Sequence, residues 1–195
     1  MEEKSNSSGE KIRISTQKLQ GGIGAILILL GVLPGIGTLL LIVGSVLLIV
    51  SIYQISNMLK KPAIFSKFIT GFVLGLSGWV IALFFGLMSF ISVLISSGFT
   101  HNFASGMFFG MGIGIFVAIM LSYILFIAAT YFYKQAYDML ALAINHKLFS
   151  TTGLLMYIGA ITIILFGLGG ILLFIAWIML AVAFFTAPEE VEVVG

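Results

Sequence analysis

Apolar residues in this chain do not alternate with polar ones. They form long runs at 19–33, 36–55, 68–96, 104–133, 153–167 and 169–186. Amphipathic helices and half-buried strands would show periods of 3.6 or 2; continuous runs of this length predict helices surrounded by lipid. Taken as one helix, 19–55 would reach about 55 Å, against a hydrocarbon core of about 30 Å. Pro34-Gly35, flanked by Gly31 and Gly37, is a turn signal that divides it. The run from Gly153 to Phe185 poses the same problem, and Gly167, Gly169 and Gly170 punctuate it in the same place. The pattern predicts an all-α, polytopic membrane protein with six transmembrane segments in three helical hairpins. Its membrane domain, 19–186, lies between a polar tail at 1–18 and an acidic tail at 187–195.

Composition agrees. Of 195 residues, 61% are apolar and 8% charged, with mean hydropathy +1.23. Soluble domains carry about 25% charged residues, so a water-soluble core does not account for the chain. The absence of cysteine excludes disulfides, thiol catalysis and cysteine-ligated metals. The first 18 residues lack the basic–apolar–small pattern of a cleaved signal peptide and read as a short cytoplasmic tail.

Charge placement supports the hairpins. The basic residues are Lys4, Lys11, Arg13, Lys18, Lys60, Lys61, Lys67, Lys134 and Lys147; the acids are Glu2, Glu3, Glu10, Asp138, Glu189, Glu190 and Glu192. If 19–55 and 153–186 are hairpins, all of them fall on one side. If each run were a single helix, the basic residues would split four to five across the membrane. The positive-inside rule prefers the hairpins, with both termini cytoplasmic in the cell membrane. A re-entrant hairpin that dips in and returns gives the same distribution, but needs protein cover for its backbone. The segment Ile23-Gly-Ala-Ile-Leu-Ile-Leu-Leu-Gly31 also echoes Ile158-Gly-Ala-Ile-Thr-Ile-Ile-Leu-Phe-Gly167, which suggests a parallel repeat of the outer hairpins; apolar segments of simple composition also align by convergence.

The two central segments carry stripes of small residues. Gly106, Gly110, Gly114, Ala118 and Ser122 recur every four positions in one, and Gly71, Gly75, Gly78, Ala82 and Gly86 form a similar face in the other. In lipid such faces let helix backbones approach closely. They read as the seam of a tight central hairpin or of a homodimer, with a glycine-lined gate as the functional alternative. The fourth segment is expected to continue as a cytoplasmic helix through 131–149, with Lys134 and Asp138 paired at i,i+4. Tyr131, Tyr133 and Tyr137, with Phe65, Lys67 and Phe68, are expected at the headgroup level.

Candidate chemistry is sparse. No Asp, Glu, Lys or Arg interrupts an apolar segment, which weighs against a carboxylate-driven antiporter or proton pump. His101 with Met107 and Met111 would make a soft Cu(I) site, but a loop histidine beside lipid-facing methionines explains the same residues. His146 reads as a solvated residue near a helix end. No carboxylate pair, Ser–His–acid set or HExxH motif occurs. Gly22-Ile-Gly24 and Gly110-Met-Gly112-Ile-Gly114 lack the GK[ST] of a phosphate loop. Segment hydroxyls such as Ser45, Ser77, Ser89, Ser92, Ser122, Thr130 and Thr162 are expected to bond the preceding helical turn. The tail APEEVEVVG reads as a disordered acidic terminus, or as a partner-docking strand.

Four stretches, LQGGIGAILILLG, KQAYDMLA, LFSTTGLLMYIGAI and IAWIMLAVAFFTAPEE, resemble the family catalogued as domain of unknown function 996. Its members are small polytopic membrane proteins, mostly of archaea and some bacteria. The resemblance runs from Thr16 to Glu190, is most specific in the C-terminal portion, and adds little between Ile69 and Thr130. It implies an integral membrane protein of archaeal type and carries over no activity or catalytic residue.

The sequence leaves two functional expectations. The first is a non-enzymatic helix-packing or assembly component, homo-oligomeric through its glycine faces. The alternative is a channel or facilitator for a small, weakly charged solute. A membrane enzyme ranks last. The expected partner is the lipid bilayer; no cofactor, metal or nucleic acid is expected.

Overall fold

A computed structural model describes residues 10–97, 104–164 and 167–193. In chain order these form β1 (Glu10–Arg13), α1 (Ser15–Leu30), α2 (Gly37–Met58), α3 (Pro62–Ser97), α4 (Ala104–Ala143), α5 (Leu148–Thr162), α6 (Leu168–Thr186) and β2 (Glu190–Val193). Four of the helices, α2, α3, α4 and α6, are long and apolar enough to cross a bilayer. Helices α1 and α5 have 16 and 15 residues, or about 24 and 22 Å at 1.5 Å per residue.

The helices close into a ring, each packed on its neighbours in sequence, with α6 returning to α1. Neighbours run antiparallel. Gly71 lies against Ala129 and Gly78 against Ser122 across α3 and α4. Across α4 and α5, Gly153 lies against Lys134, and Tyr123 donates to the Ile161 carbonyl at 2.7 Å. Across α1 and α6, Gly21 and Gly22 lie against the rings of Phe184 and Phe185. Alternating direction gathers the corners at 59–61 and 144–147 at one end, together with β1 and β2. Every charged group among the described residues sits at that end.

Both corners use the same helix stop. Lys60 and Asn145 adopt left-handed backbone, with φ 55° and 53°. The amide three residues past each helix end reaches back five residues, Lys61 N–H to Ser56 O and His146 N–H to Ala141 O, which satisfies carbonyls the helix leaves bare. Pro62 then opens α3, where its missing N–H costs nothing. Ser56, fully buried, donates to Lys61 O at 2.7 Å and accepts from the Phe65 amide, bracing the corner. At the opposite end the turns use glycine: Gly35 and Gly167 have φ of +87° and +78°, where a Cβ would be strained.

The C-terminal tail differs from its reading as a disordered acidic terminus: its strand pairs within the chain. β1 and β2 pair antiparallel, with Lys11 opposite Glu192 and Arg13 opposite Glu190, so opposite charges face each other across the ribbon. The Ile14 amide extends the pairing to Glu189 O at 2.9 Å. Ile14 and Val191 join Phe184 and Ala187 in the buried core. The all-α architecture thus carries a small β ribbon, and α1 begins at Ser15 rather than at 19. α4 continues past 133 as expected but stops at Ala143, and α5 starts at Leu148 rather than 153.

Candidate functional site

Six helices meeting around one axis leave a chamber of about 140 Å³, lined by Ile28 of α1, Leu41, Ser45, Leu48 and Ile49 of α2, Phe68 and Phe72 of α3, Tyr133 and Tyr137 of α4, Met156 of α5 and Trp177 of α6. Interiors are normally close-packed, with few voids larger than water, so a chamber lined by every helix is a feature of the architecture.

One wall is aromatic. The rings of Phe68 and Tyr133 lie 5.1 Å apart, Phe68 and Tyr137 6.2 Å, and Tyr133 and Tyr137 6.4 Å in a stacked arrangement. These are favourable edge and offset geometries. Tyr137 and Phe68 are buried. They belong to the core rather than to the headgroup level expected of them, because the cluster continues through Phe149 to Phe184. Only Tyr131 of the three tyrosines is exposed; it sits 5.9 Å from Tyr157. Phe65 packs on Tyr53 at 5.0 Å, and the Lys67 ammonium lies over Phe132 at 5.2 Å.

The chamber lining carries no charged side chain. Nearby charges are held outside it: Lys134 Nζ donates to Asp138 Oδ2 at 2.7 Å, and Ser150 Oγ donates to Asp138 Oδ1 at 2.6 Å, tying α4 to the start of α5. Hydroxyls mostly bond helix backbone. Ser77, Thr130 and Thr162 bond their own preceding turn, Ser122 donates to Gly78 O at 3.0 Å across the α3–α4 seam, and Ser51 to Gln17 O at 2.7 Å. Among the described residues, the one buried side-chain polar atom without a partner is Gln20 Oε1. His146 Nε2 lies 3.0 Å from Thr186 Oγ1. No group of three metal-ligating side chains occurs among the described residues; His101 lies outside them.

The small-residue stripes divide. Gly71, Gly75 and Gly78 face α4, and a Cβ on Gly71 would come within 2.8 Å of Ala129 O. Ala118 is buried. Toward the other end the seam opens: Ala82 is exposed, and nothing lies within 4 Å of a Cβ on Gly86 or Gly114. The surroundings of Gly106 and Gly110 lie outside the described residues. The outer pairs have close backbone approaches of their own, at Gly24 against Gly44 and Gly159 against Gly169. Pro34 and Gly35 occupy the α1–α2 turn and Gly167 precedes α6. Gly169 and Gly170, read from sequence as turn residues, are in the first turn of α6 instead, where Gly169 packs on Gly159.

Sequence reasoning did not find the chamber. Its residues are dispersed over six helices and only the ring closure assembles them. The ribbon did leave a signal, since Lys11-Ile12-Arg13-Ile14 and Glu190-Val191-Glu192-Val193 alternate polar and apolar at the strand period.

Comparison with known proteins agrees with the resemblance seen in the sequence. The chain is 30% identical over 185 residues, 93% of its length, to an uncharacterized protein of Methanocaldococcus jannaschii, MJ1644, of which the match covers 97%. No solved structure matches. The family described as Protein of unknown function (DUF996) matches residues 40–178. The chain belongs to that family.

Proposed function

We propose that the protein is a multi-pass, non-enzymatic protein of the cell membrane, with both termini cytoplasmic, that facilitates passage of a small, weakly charged solute. The observation that carries this reading is the chamber at the centre of the helix ring, lined from all six helices and free of charged side chains. The exterior supports a lipid setting: Trp79, Leu83, Phe116 and Ile124 are 60% exposed or more, a surface that water would not tolerate at this density. Gathering the charges at one end, with basic residues in excess, supports a cytoplasmic orientation for that end. The short α1 and α5 cross by local thinning of the bilayer at modest cost. Flux through proteoliposomes tests the function; no flux across a broad panel of small solutes would sink it.

Assembly is the second reading. Ala82, Gly86 and Gly114 are left uncovered where α3 and α4 diverge, and small-residue surface of this kind suits contact with a second copy. Gly86→Leu and Gly114→Leu are expected to lower the oligomer size in detergent; unchanged size with unchanged thermal stability would count against it.

A further inference from the structure

The facilitator reading leaves the class of solute open, and the chamber's chemistry narrows it. We propose that the chamber binds a neutral, largely apolar molecule about the size of one aromatic ring, with at most one or two hydrogen-bonding groups, admitted sideways from the lipid between α2 and α3. The proposal rests on the same chamber as the facilitator reading but requires binding only.

Size comes first. A cavity of about 150 Å³ with apolar walls stays dry and admits a molecule such as benzene, and the chamber holds about 140 Å³. Wall chemistry comes second. Ile28, Leu41, Leu48 and Ile49 face an aromatic wall that includes Phe68 and Tyr133. Polar atoms come only from Ser45, Tyr133, Tyr137 and Trp177, enough to orient one hydroxyl or amide. Charge comes third. An ion here would lose its hydration with no opposite charge in the lining, a cost that aromatic faces alone do not offset. The solute is therefore neutral rather than an organic cation, although an aromatic wall would otherwise invite one.

The route follows from the packing. Of the neighbouring helix pairs, α2 and α3 touch least. They meet near the corner through Ser56, Tyr53 and Phe65. Ser45 and Ile49, farther along α2, and Phe72 of α3 line the chamber and are only half-buried, which places the opening of the chamber toward lipid at this gap. A neutral apolar solute concentrated in the bilayer reaches it without crossing the charged end.

The test uses the two tryptophans. Trp79 is 69% exposed and Trp177 lines the chamber, so Trp79→Phe leaves a single reporter. Phenol and benzene are titrated into this protein in nanodiscs, with benzoate and tetramethylammonium as charged counterparts of similar size. The expected result is a saturable change in Trp177 emission with the neutral probes and none with the charged ones. Ser45→Leu, which fills the chamber, is expected to weaken binding at least tenfold while thermal stability is retained. Should that variant not fold, Ile49→Phe, which narrows the chamber from the same helix, replaces it and is likewise expected to weaken binding. A response that rises linearly, as partition into lipid would, or that persists unchanged in a folded chamber-filled variant, overturns the proposal, as does tighter binding of either charged probe. Saturable binding without flux would keep the site and retire the facilitator; flux that survives filling of the chamber would retire the site and keep the facilitator.

Discussion

The outer helix pairs, α1–α2 and α5–α6, begin alike and end differently. Gly24 and Gly159 occupy matching places in the repeated segment, and the alanine after each, Ala25 and Ala160, is fully buried. In each pair the first-helix glycine meets a glycine of the second helix. In α1–α2 the partner is Gly44, a third of the way along α2; in α5–α6 it is Gly169, at the start of α6. The first pair therefore crosses well inside, and the second crosses beside its turn. The likeness lies in the first helices, while the second helix sets where the backbones touch. Two glycines opposite one another remove the Cβ layer that keeps helices 8–10 Å apart, so the crossing follows the partner glycine and not the repeat.

Alanine substitutions probe that difference. The largest effect is expected at Gly169, where a Cβ would collide with Gly159 O and the Ile163 backbone. Gly169→Ala is expected to cost about 3 kcal/mol, read as a lowered unfolding midpoint in detergent; a wild-type midpoint would mean that α5 and α6 do not cross there. Gly24→Ala follows at about 2 kcal/mol, because its Cβ would sit 2.8 Å from Gly44 O and 2.9 Å from Leu48 N. Gly44→Ala should match it within error, since the two glycines oppose each other. At Gly159 the nearest atom is the Leu173 side chain at 3.0 Å, with Gly169 O at 3.1 Å. Gly159→Ala is expected to cost about 1 kcal/mol; a loss as large as at Gly24 would restore a symmetric repeat. Gly170→Ala should raise stability by about 0.5 kcal/mol, because nothing lies within 4 Å and alanine favours the helix. Smallest is Glu189→Gln. Its contacts with Arg13 and Lys18 are both 3.7 Å and its side chain is 58% exposed, so the change should stay below about 0.5 kcal/mol. A larger drop, measured by the same unfolding assay, would make the terminal ribbon a clasp that holds α1 and α6 together.

Much of the frame was legible in the sequence. Apolar runs marked the helices, and Pro34-Gly35 and Gly167 marked turns, because lipid demands continuous apolar segments and left-handed backbone demands glycine. The spacing of Lys134 and Asp138 foretold their ion pair. Other features were misread for identifiable reasons. Tyr133 and Tyr137 looked like interfacial tyrosines, because an amphipathic ring suits both a headgroup layer and a packed core. Gly169 looked like a turn residue because a glycine beside a turn and a glycine at a helix crossing are indistinguishable without the partner helix. The small-residue stripes were visible, but not that the α3–α4 seam is closed at Gly71 and Gly78 and open at Gly86 and Gly114. That depends on how two long helices diverge.

The sequence by itself determined helices apolar enough to suit a membrane and the end at which their charges gather, because hydration and hydrocarbon length act on each segment separately. Only the tertiary structure decided what depends on segments far apart in the chain. The return of α6 to α1 brings residues 10–13 beside 190–193 and closes the ring. That closure draws Ile28, Phe72 and Trp177 to one chamber, a meeting that no local pattern encodes.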